Sequence, residues 1–259
     1  MANLKIAIIT VAGVSSRFNK DILDEKKILK CIYYEDNPKD TLIYHLIKKV
    51  EYADVIVIVG GYKYSDLENY IYNYLPNNII EKILMVNNSH FFDLSSGYSL
   101  YLGINKAIST ISDIDEILFV EGDLDIDDES FLNVVNSNKN VLTFNYEPIY
   151  SNKAVVLYKN DKNRFCYAFN SQHGLLNINE AFECILNSGQ LWKFKDIDTL
   201  KISNKFFKEN SIEDNNLAII QKYLDLLDDT ESIEIIGLKH WVNCNTRDDY
   251  KIIKNYWNE

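Results

Sequence analysis

Arginine is scarce in this sequence. Only three of its 27 basic residues are arginine (Arg17, Arg164 and Arg247), and the acids outnumber the bases to leave a net charge of −11. No basic cluster interrupts that balance. This argues against a general affinity for nucleic acid, which rests on lysine and arginine neutralising phosphates. Any anionic ligand has to be held by a few local cations and backbone donors. Cysteine is equally sparse: Cys31, Cys166, Cys184 and Cys244 lie far apart with no C-x-x-C pair, which suits reduced cytosolic thiols better than a disulfide framework or a zinc site. No apolar run is long enough to span a bilayer. The apolar N-terminal stretch lacks a cleavage context and reads as a strand, so the expectation is a soluble, cytoplasmic protein that engages neither membrane nor nucleic acid. Internal repeats and low-complexity linkers are also missing.

What is present suffices for a sizeable core. The 259 residues are 47% hydrophobic and 25% charged, with eighteen tyrosines and twelve phenylalanines, ordinary values for a globular chain and far from those of disorder. Strand-like and helical segments alternate through the first 135 residues. Leu4–Ile9, Val55–Val59, Lys82–Val86 and Ile117–Val120 read as strands, and Thr41–Tyr52, Tyr64–Leu75, Ser99–Ile111 and Asp128–Val135 as helices. That order predicts a parallel sheet with helices on both faces and ligands at the carboxyl ends of its strands. Three loops lie at such ends: Thr10–Phe18, Gly60–Lys63 and Glu121–Asp125.

Beyond residue 140 the runs shorten. Val141–Tyr146, Ala154–Tyr158, Phe165–Asn170 and Leu191–Phe194 read as antiparallel strands covering the active edge of the sheet. Ser211 reads as the N-cap of a helix over Ile212–Leu227, Ile233–Ile236 as a last strand, and Thr246 as the cap of a closing helix to Tyr256. The chain is expected to be one domain: a core over 1–140, a cover over 141–232, and a closing strand and helix over 233–259.

Among chemistry-bearing residues, Arg17 stands out. It sits in Thr10-Val-Ala-Gly-Val-Ser-Ser-Arg-Phe18, a small-residue loop leaving a strand. Small side chains let backbone N–H groups approach a phosphate, and the guanidinium adds a charge-assisted fork. Lys26, Lys27 and Lys30 follow closely, and position alone does not choose among them. Asp123 ends a strand after a glycine, where a Mg²⁺ carboxylate belongs in a nucleotide enzyme. The Asp123, Asp125, Asp127 run fails as a calcium loop, because Asp128 stands where glycine is required and Val134 where glutamate is. His45, His90, His173 and His240 show no metal-ligand spacing, and no Ser-His-Asp arrangement or G-x-S-x-G elbow occurs.

Taken together, these segments resemble the nucleotidyltransferase superfamily, and most of all its small bacterial cytidylyltransferases, of the phosphocholine cytidylyltransferase kind. Thr10–Phe18 is similar to the opening L-A-A-G-x-G/S-S-R-F. Lys26-Lys-Ile-Leu-Lys30 matches P-K-x-L with the proline replaced, which singles out Lys27. Thr41–Leu46, Val57–Lys63, Asp93–Leu102, Glu121-Gly-Asp123, Gly189–Phe194 and Trp241–Tyr250 follow in the family's order. Two departures stand out: Val11 replaces an alanine, and Asn243 and Asn245 occupy positions that carry acids in the family.

The resemblance implies a Rossmann-like, mostly parallel α/β sheet with an antiparallel substrate-binding cover. It implies transfer of CMP from CTP to a small phosphorylated or phosphonylated alcohol or amino-alcohol, releasing pyrophosphate, in the decoration of a cell-surface polysaccharide or lipid. The chain would act as a monomer or homodimer. Arg17 would hold the β- and γ-phosphates and Lys27 the α-phosphate. Asp123, with Asn243 or Asn245, would hold Mg²⁺, with Asp125, Asp248 or substrate phosphate making up the missing charge. Base and ribose would lie against Thr10, Val11, Ala12 and Gly13, against Gly60 and Gly61, and against Ser95, Ser96 and Gly97. Lys153, Asn170, Ser188 and Gly189 would contact the acceptor. Two rivals remain at this level: a glycosyltransferase on a similar sheet, for which Asp123-Leu-Asp125 supplies a D-x-D, and a non-catalytic nucleotide-binding regulator.

Overall fold

The apolar run at the start of the chain forms β1 (Leu4–Thr10), whose middle residues Ile6 to Ile9 are fully buried. A strand buried on both faces needs helices on both sides, and the chain supplies them in turn. After β1 come α1 (Leu42–Lys49), β2 (Val55–Gly60), α2 (Tyr64–Tyr74), α3 (Asn77–Ile80), β3 (Ile83–Asn87), α4 (Ser96–Thr110) and β4 (Ile114–Glu121). The second half contributes β5 (Leu124–Ile126), α5 (Asp128–Asn136), β6 (Asn140–Asn145), β7 (Val156–Asn160), β8 (Phe165–Tyr167), β9 (Phe182–Phe194), α6 (Ile197–Asn210), α7 (Leu217–Leu226), β10 (Ile233–Leu238), β11 (Trp241–Asn243) and α8 (Arg247–Trp257). The computed structural model describes residues 4–151, 155–168, 175–227 and 229–258.

One sheet has the strand order β10-β6-β9-β4-β1-β2-β3. All neighbours are parallel except β9, which runs antiparallel to both β4 and β6. Strands β7 and β8 extend the sheet from the first part of β9. A separate two-stranded ladder joins β5 to β11. This is the mixed α/β, mostly parallel architecture that the segment order implies.

Alternation along the strands divides the core. Ala7, Ile9, Ile56, Ile58, Leu118 and Val120 face α1, α2 and α5, while Ile6, Ile8, Val57, Val59, Ile117 and Phe119 face α4, α6 and α7. A small third cluster of Phe18, Leu42, Cys244, Tyr250 and Ile253 fastens the β1 loop to α1 and α8.

Three expectations change. The run at Leu191–Phe194 is the end of a 13-residue strand inserted into the main sheet, and β6 and β10 also pair there. Only β7, β8 and the first part of β9 project as an antiparallel extension. Helix α6 had no counterpart in the sequence reading, and Ser211 proves to be its C-cap rather than the N-cap of the next helix. Helix α4 starts at Ser96, one turn earlier than its apolar spacing shows.

Candidate active site

A cleft of about 360 Å³ opens at the carboxyl ends of β1 and β4. The chain turns there to β2 and β3 on one side and to β4 and β9 on the other, the switch point at which open α/β sheets bind ligands. Its wall starts with the loop after β1. Backbone bonds root that loop on both sides: Val11 N to Val59 O (2.8 Å), Tyr62 N to Ala12 O (3.1 Å) and Gly122 N to Thr10 O (3.0 Å). At Gly122 the approach is so close that a Cβ would clash with Val11 Cγ1.

Farther out, the loop is braced by Asn19, which is buried. Its amide donates to Ser15 O (3.0 Å) and Ile28 O (2.7 Å) and accepts from Ile28 N (3.1 Å). Phe18 anchors the loop in the third core cluster, where the Arg247 guanidinium lies 4.4 Å over its ring and 3.8 Å over that of Tyr33. The arginines thus divide the labour. Arg247 clamps the loop from behind, and Arg17 lines the cleft with no ion-pair partner among the described residues.

Across the cleft stands Asp123. Its Oδ2 accepts from Lys30 Nζ at 2.9 Å, and the same ammonium donates to Cys244 O at 2.7 Å. Asp123 O accepts from Cys244 N at 2.8 Å, which brings the segment after β11 against the aspartate. Cys244 points into the core, its thiol pushed up to about 12 by burial and therefore unreactive. Asn243 and Asn245 flank it. Asn245 lines the cleft and Asn243 does not; Asn243 Oδ1 and Asp123 Oδ1 are each buried without a donor.

Two buried oxygens without donors, one of them on a carboxylate, fit a hard cation. Mg²⁺ takes one or two carboxylates and keeps water and substrate phosphate as its other ligands. Among the described residues no group of three or more His, Cys, Asp or Glu side chains is placed to hold a metal, so a metal here would need amides and substrate oxygens as further ligands. Neither acid considered as compensation is available. The carboxylate of Asp125 is 2% exposed and accepts from Trp257 Nε1 (2.7 Å), with His240 Nε2 at 2.8 Å. That of Asp248 is exposed and paired with Lys251.

The far end of the cleft is polar. Asn88 donates to Ser99 Oγ (2.9 Å) and accepts from His90 N (2.8 Å). Asn216 Nδ2 donates to Glu121 Oε1 at 2.6 Å, and Asn216 N donates to Ser96 Oγ at 3.3 Å. Burial, and secondarily the charge of Asp123, push the Glu121 carboxyl up to about 8.

Of the residues singled out in the sequence, Thr10, Val11, Ala12, Gly13, Arg17, Ser95, Ser96, Asp123 and Asn245 line this cleft. Gly61 backs the loop, packing on Ala12 and Phe91, whereas Gly60 packs on Leu67 and Tyr64 of α2, and Gly97 packs on Phe207 and the Asp214 carbonyl. Lys27 lies outside the lining, paired with Asp24 at 2.5 Å. Ser188 is buried between strands, and Gly189 O accepts from Trp241 Nε1 at 2.8 Å. Lys153, Asn170 and His173 lie outside the described residues.

Lys30, Asn88, Ser99 and Glu121 line the cleft without having been chosen. Lys30 was one of three equivalent lysines in sequence. Glu121 is visible in sequence only as the start of the aspartate motif, Ser99 only as part of the Asp93–Leu102 segment, and Asn88 carries no signal.

The model of a family described as a domain of unknown function (DUF6564) matches residues 26–257. The chain belongs to that family. No curated protein matches this DUF6564 chain. Solved structures match it along their whole length. The inositol-1-phosphate CTP transferase from T. maritima superposes with a TM-score of 0.66 at 16% identity, over 97% of this chain and 96% of that one. The CTP:phosphocholine cytidylyltransferase from Streptococcus pneumoniae does so with a TM-score of 0.64 at 13% identity, over 98% and 99%. A UDP-glucose pyrophosphorylase solved with UDP-glucose gives 0.67 at 12% identity, over 98% of each chain. This DUF6564 chain therefore has the fold of the nucleotidyltransferases. No helix among its described residues is long and apolar enough to cross a membrane.

Proposed function

We propose that this chain transfers a nucleoside monophosphate from a nucleoside triphosphate to a small phosphorylated or phosphonylated acceptor, with release of pyrophosphate. One observation carries the reading. At the switch point of a nucleotidyltransferase fold, a single cleft joins a small-residue loop bearing a free arginine to an aspartate that faces it with a lysine.

In this reading an acceptor oxygen attacks the α-phosphorus in line. The new P–O bond forms as the bond to the β-phosphate oxygen breaks, and the negative charge leaves with pyrophosphate. Little covalent work falls to the protein, so catalysis is positioning plus charge stabilisation. Arg17 binds the departing phosphates, and the backbone N–H groups of the loop after Thr10 cradle them. Lys30, and Lys27 once released from Asp24, supply further positive charge. Ser95 and Ser96 with Asn88 and Glu121 offer donors and acceptors to base and ribose. Asp123, Asn243 and Asn245 would hold Mg²⁺, which when bound neutralises phosphate charge.

CTP is the nucleotide favoured here, because two of the matching structures are of CTP-using transferases and the sequence motifs point the same way. The motif resemblance to the small bacterial cytidylyltransferases supports, beyond that, a role in decorating a cell-surface polysaccharide or lipid. The glycosyltransferase alternative loses its main support, since Asp125 is buried and engaged rather than presented as the second acid of a D-x-D.

The test is a pyrophosphate-release screen of the four nucleoside triphosphates against phosphocholine, phosphoethanolamine, aminoethylphosphonate, and sugar and polyol phosphates. One pair should turn over. Arg17→Ala and Asp123→Asn should each cost about 10²- to 10³-fold in kcat, the usual loss of a charge-stabilising group. Release of nucleoside diphosphate from a sugar nucleotide, with no pyrophosphate from any pair, would overturn the assignment.

A further inference from the structure

Lys30 is held in an unusual way for a lysine in a ligand cleft. Its neighbours Leu29 and Cys31 are buried, and its backbone N–H donates to Ser15 Oγ at 3.2 Å, so the base of the side chain is fixed to the phosphate loop. Its ammonium is fixed as well, between Asp123 Oδ2 and the Cys244 carbonyl, with the side chain 17% exposed and that of Asp123 24% exposed. An ammonium has three N–H donors, and the protein takes two. The third remains for an anion in the cleft that Lys30 lines.

The acid side of the site is weak in charge. Asp123 stands there with the amide of Asn245, the other carboxyl of the cleft, Glu121, is engaged by Asn216 Nδ2 at 2.6 Å, and Lys30 already compensates the Asp123 charge. A divalent ion reaching the free Oδ1 of Asp123 would share that carboxylate with an ammonium on Oδ2, and two cations a few ångströms apart repel. An incoming triphosphate, by contrast, meets Arg17 and the ammonium of Lys30 without any metal.

We propose that Lys30 is a resident cation of the phosphate site, standing on the carboxylate that a divalent ion would take, so that nucleoside triphosphate binds without metal and the nucleotide-free protein holds metal poorly. This rests on the cleft being the triphosphate site described above. Among the three lysines that follow the loop, it assigns this binding role to Lys30.

Calorimetry on the full chain with CTP, in Mg²⁺ and separately in EDTA, tests it together with Mn²⁺ binding to nucleotide-free protein followed by electron paramagnetic resonance. Wild type should bind CTP in EDTA within about tenfold of its affinity in Mg²⁺. Lys30→Met should lose about tenfold or more in EDTA, recover much of that in Mg²⁺, and bind Mn²⁺ more tightly than wild type, a tenfold step being 1.4 kcal/mol. Lys30→Arg should keep binding in EDTA. Wild type that binds in Mg²⁺ and not in EDTA overturns the proposal and leaves the proposed function standing. So does Lys30→Met that binds Mn²⁺ no more tightly than wild type. Wild type that binds none of the four triphosphates even in Mg²⁺ overturns both. Should Lys30→Met not fold, the wild-type comparison and Lys30→Arg still decide.

Discussion

Lys27 and Lys30 are three residues apart in a segment without regular helix, and the direction of each side chain decides its role. Motif order favours Lys27, yet the ammonium that reaches the cleft and Asp123 is that of Lys30. We expect Lys30→Met to lower kcat by more than Lys27→Ala does, on the order of 10²-fold for Lys30. The reverse order in steady-state kinetics would return the central role to Lys27. Spacing could not have chosen between them, because irregular backbone has no period from which to read a side chain's direction. Gly122 is a second decision at this scale. A methyl there would strike Val11 Cγ1 and the Thr10 carbonyl, so Gly122→Ala should cost about 1–3 kcal/mol in urea unfolding, the range for overpacking. An unchanged midpoint would mean that the junction of β1 and β4 yields more readily than its backbone bonds suggest.

At the scale of elements, the helices differ in how openly the sequence announces them. Helix α8 carries a full capping box between Thr246 and Asp249 and was legible at once. Thr246→Ala should cost about 1 kcal/mol in thermal or urea unfolding. Helix α6 was not legible, because two of its four buried residues, Ser203 and Asn204, are polar and blur the 3.6-residue period. Asn204 faces inward since its amide finds Asn105 Oδ1 at 3.0 Å on α4, a partner that only the folded chain supplies.

Helix α5 links an element to pH. Burial alone would raise the carboxyl of its cap Asp127, but bonds from the His240 and Ser130 backbone N–H groups outweigh it and hold it below the ordinary 3.8. The folded state then binds fewer protons than the unfolded one in that range. This contribution is present above pH 3.8 and is lost as pH falls through the lower folded value. Wild type should therefore exceed Asp127→Asn in stability at neutral pH, and the gap should narrow as the pH falls below 3.8. A gap independent of pH in urea titrations would refute this.

For the molecule as a whole, the decisive event is the insertion of β9 between β4 and β6. It places Lys193, 0% exposed, at 2.9 Å from Glu116, and surrounds the ammonium with the carbonyls of Val135 and Ser137. Burial pulls the Lys193 ammonium down, against the pull of Glu116. Glu116 also meets Lys195 at 3.2 Å and Lys5 at 3.7 Å. Glu116→Leu, which strands the buried Lys193 ammonium, should therefore cost about 3–5 kcal/mol, Lys193→Met should cost less, and the double substitution should recover much of the larger loss. A double mutant as unstable as the sum of the singles would show that the pair is not the unit that matters.

The sequence by itself determined the parallel half of the sheet, the loop with Arg17 and the position of Asp123. Each is encoded locally, by β-branched runs and by small residues at strand ends. Only the tertiary structure decided which lysine faces Asp123, that Asp125 is sequestered by Trp257 and His240, and that Asn245 lines the cleft while Asn243 does not. Those outcomes depend on contacts between segments up to 214 residues apart, such as Lys30 with Cys244. No local pattern of side chains carries that information.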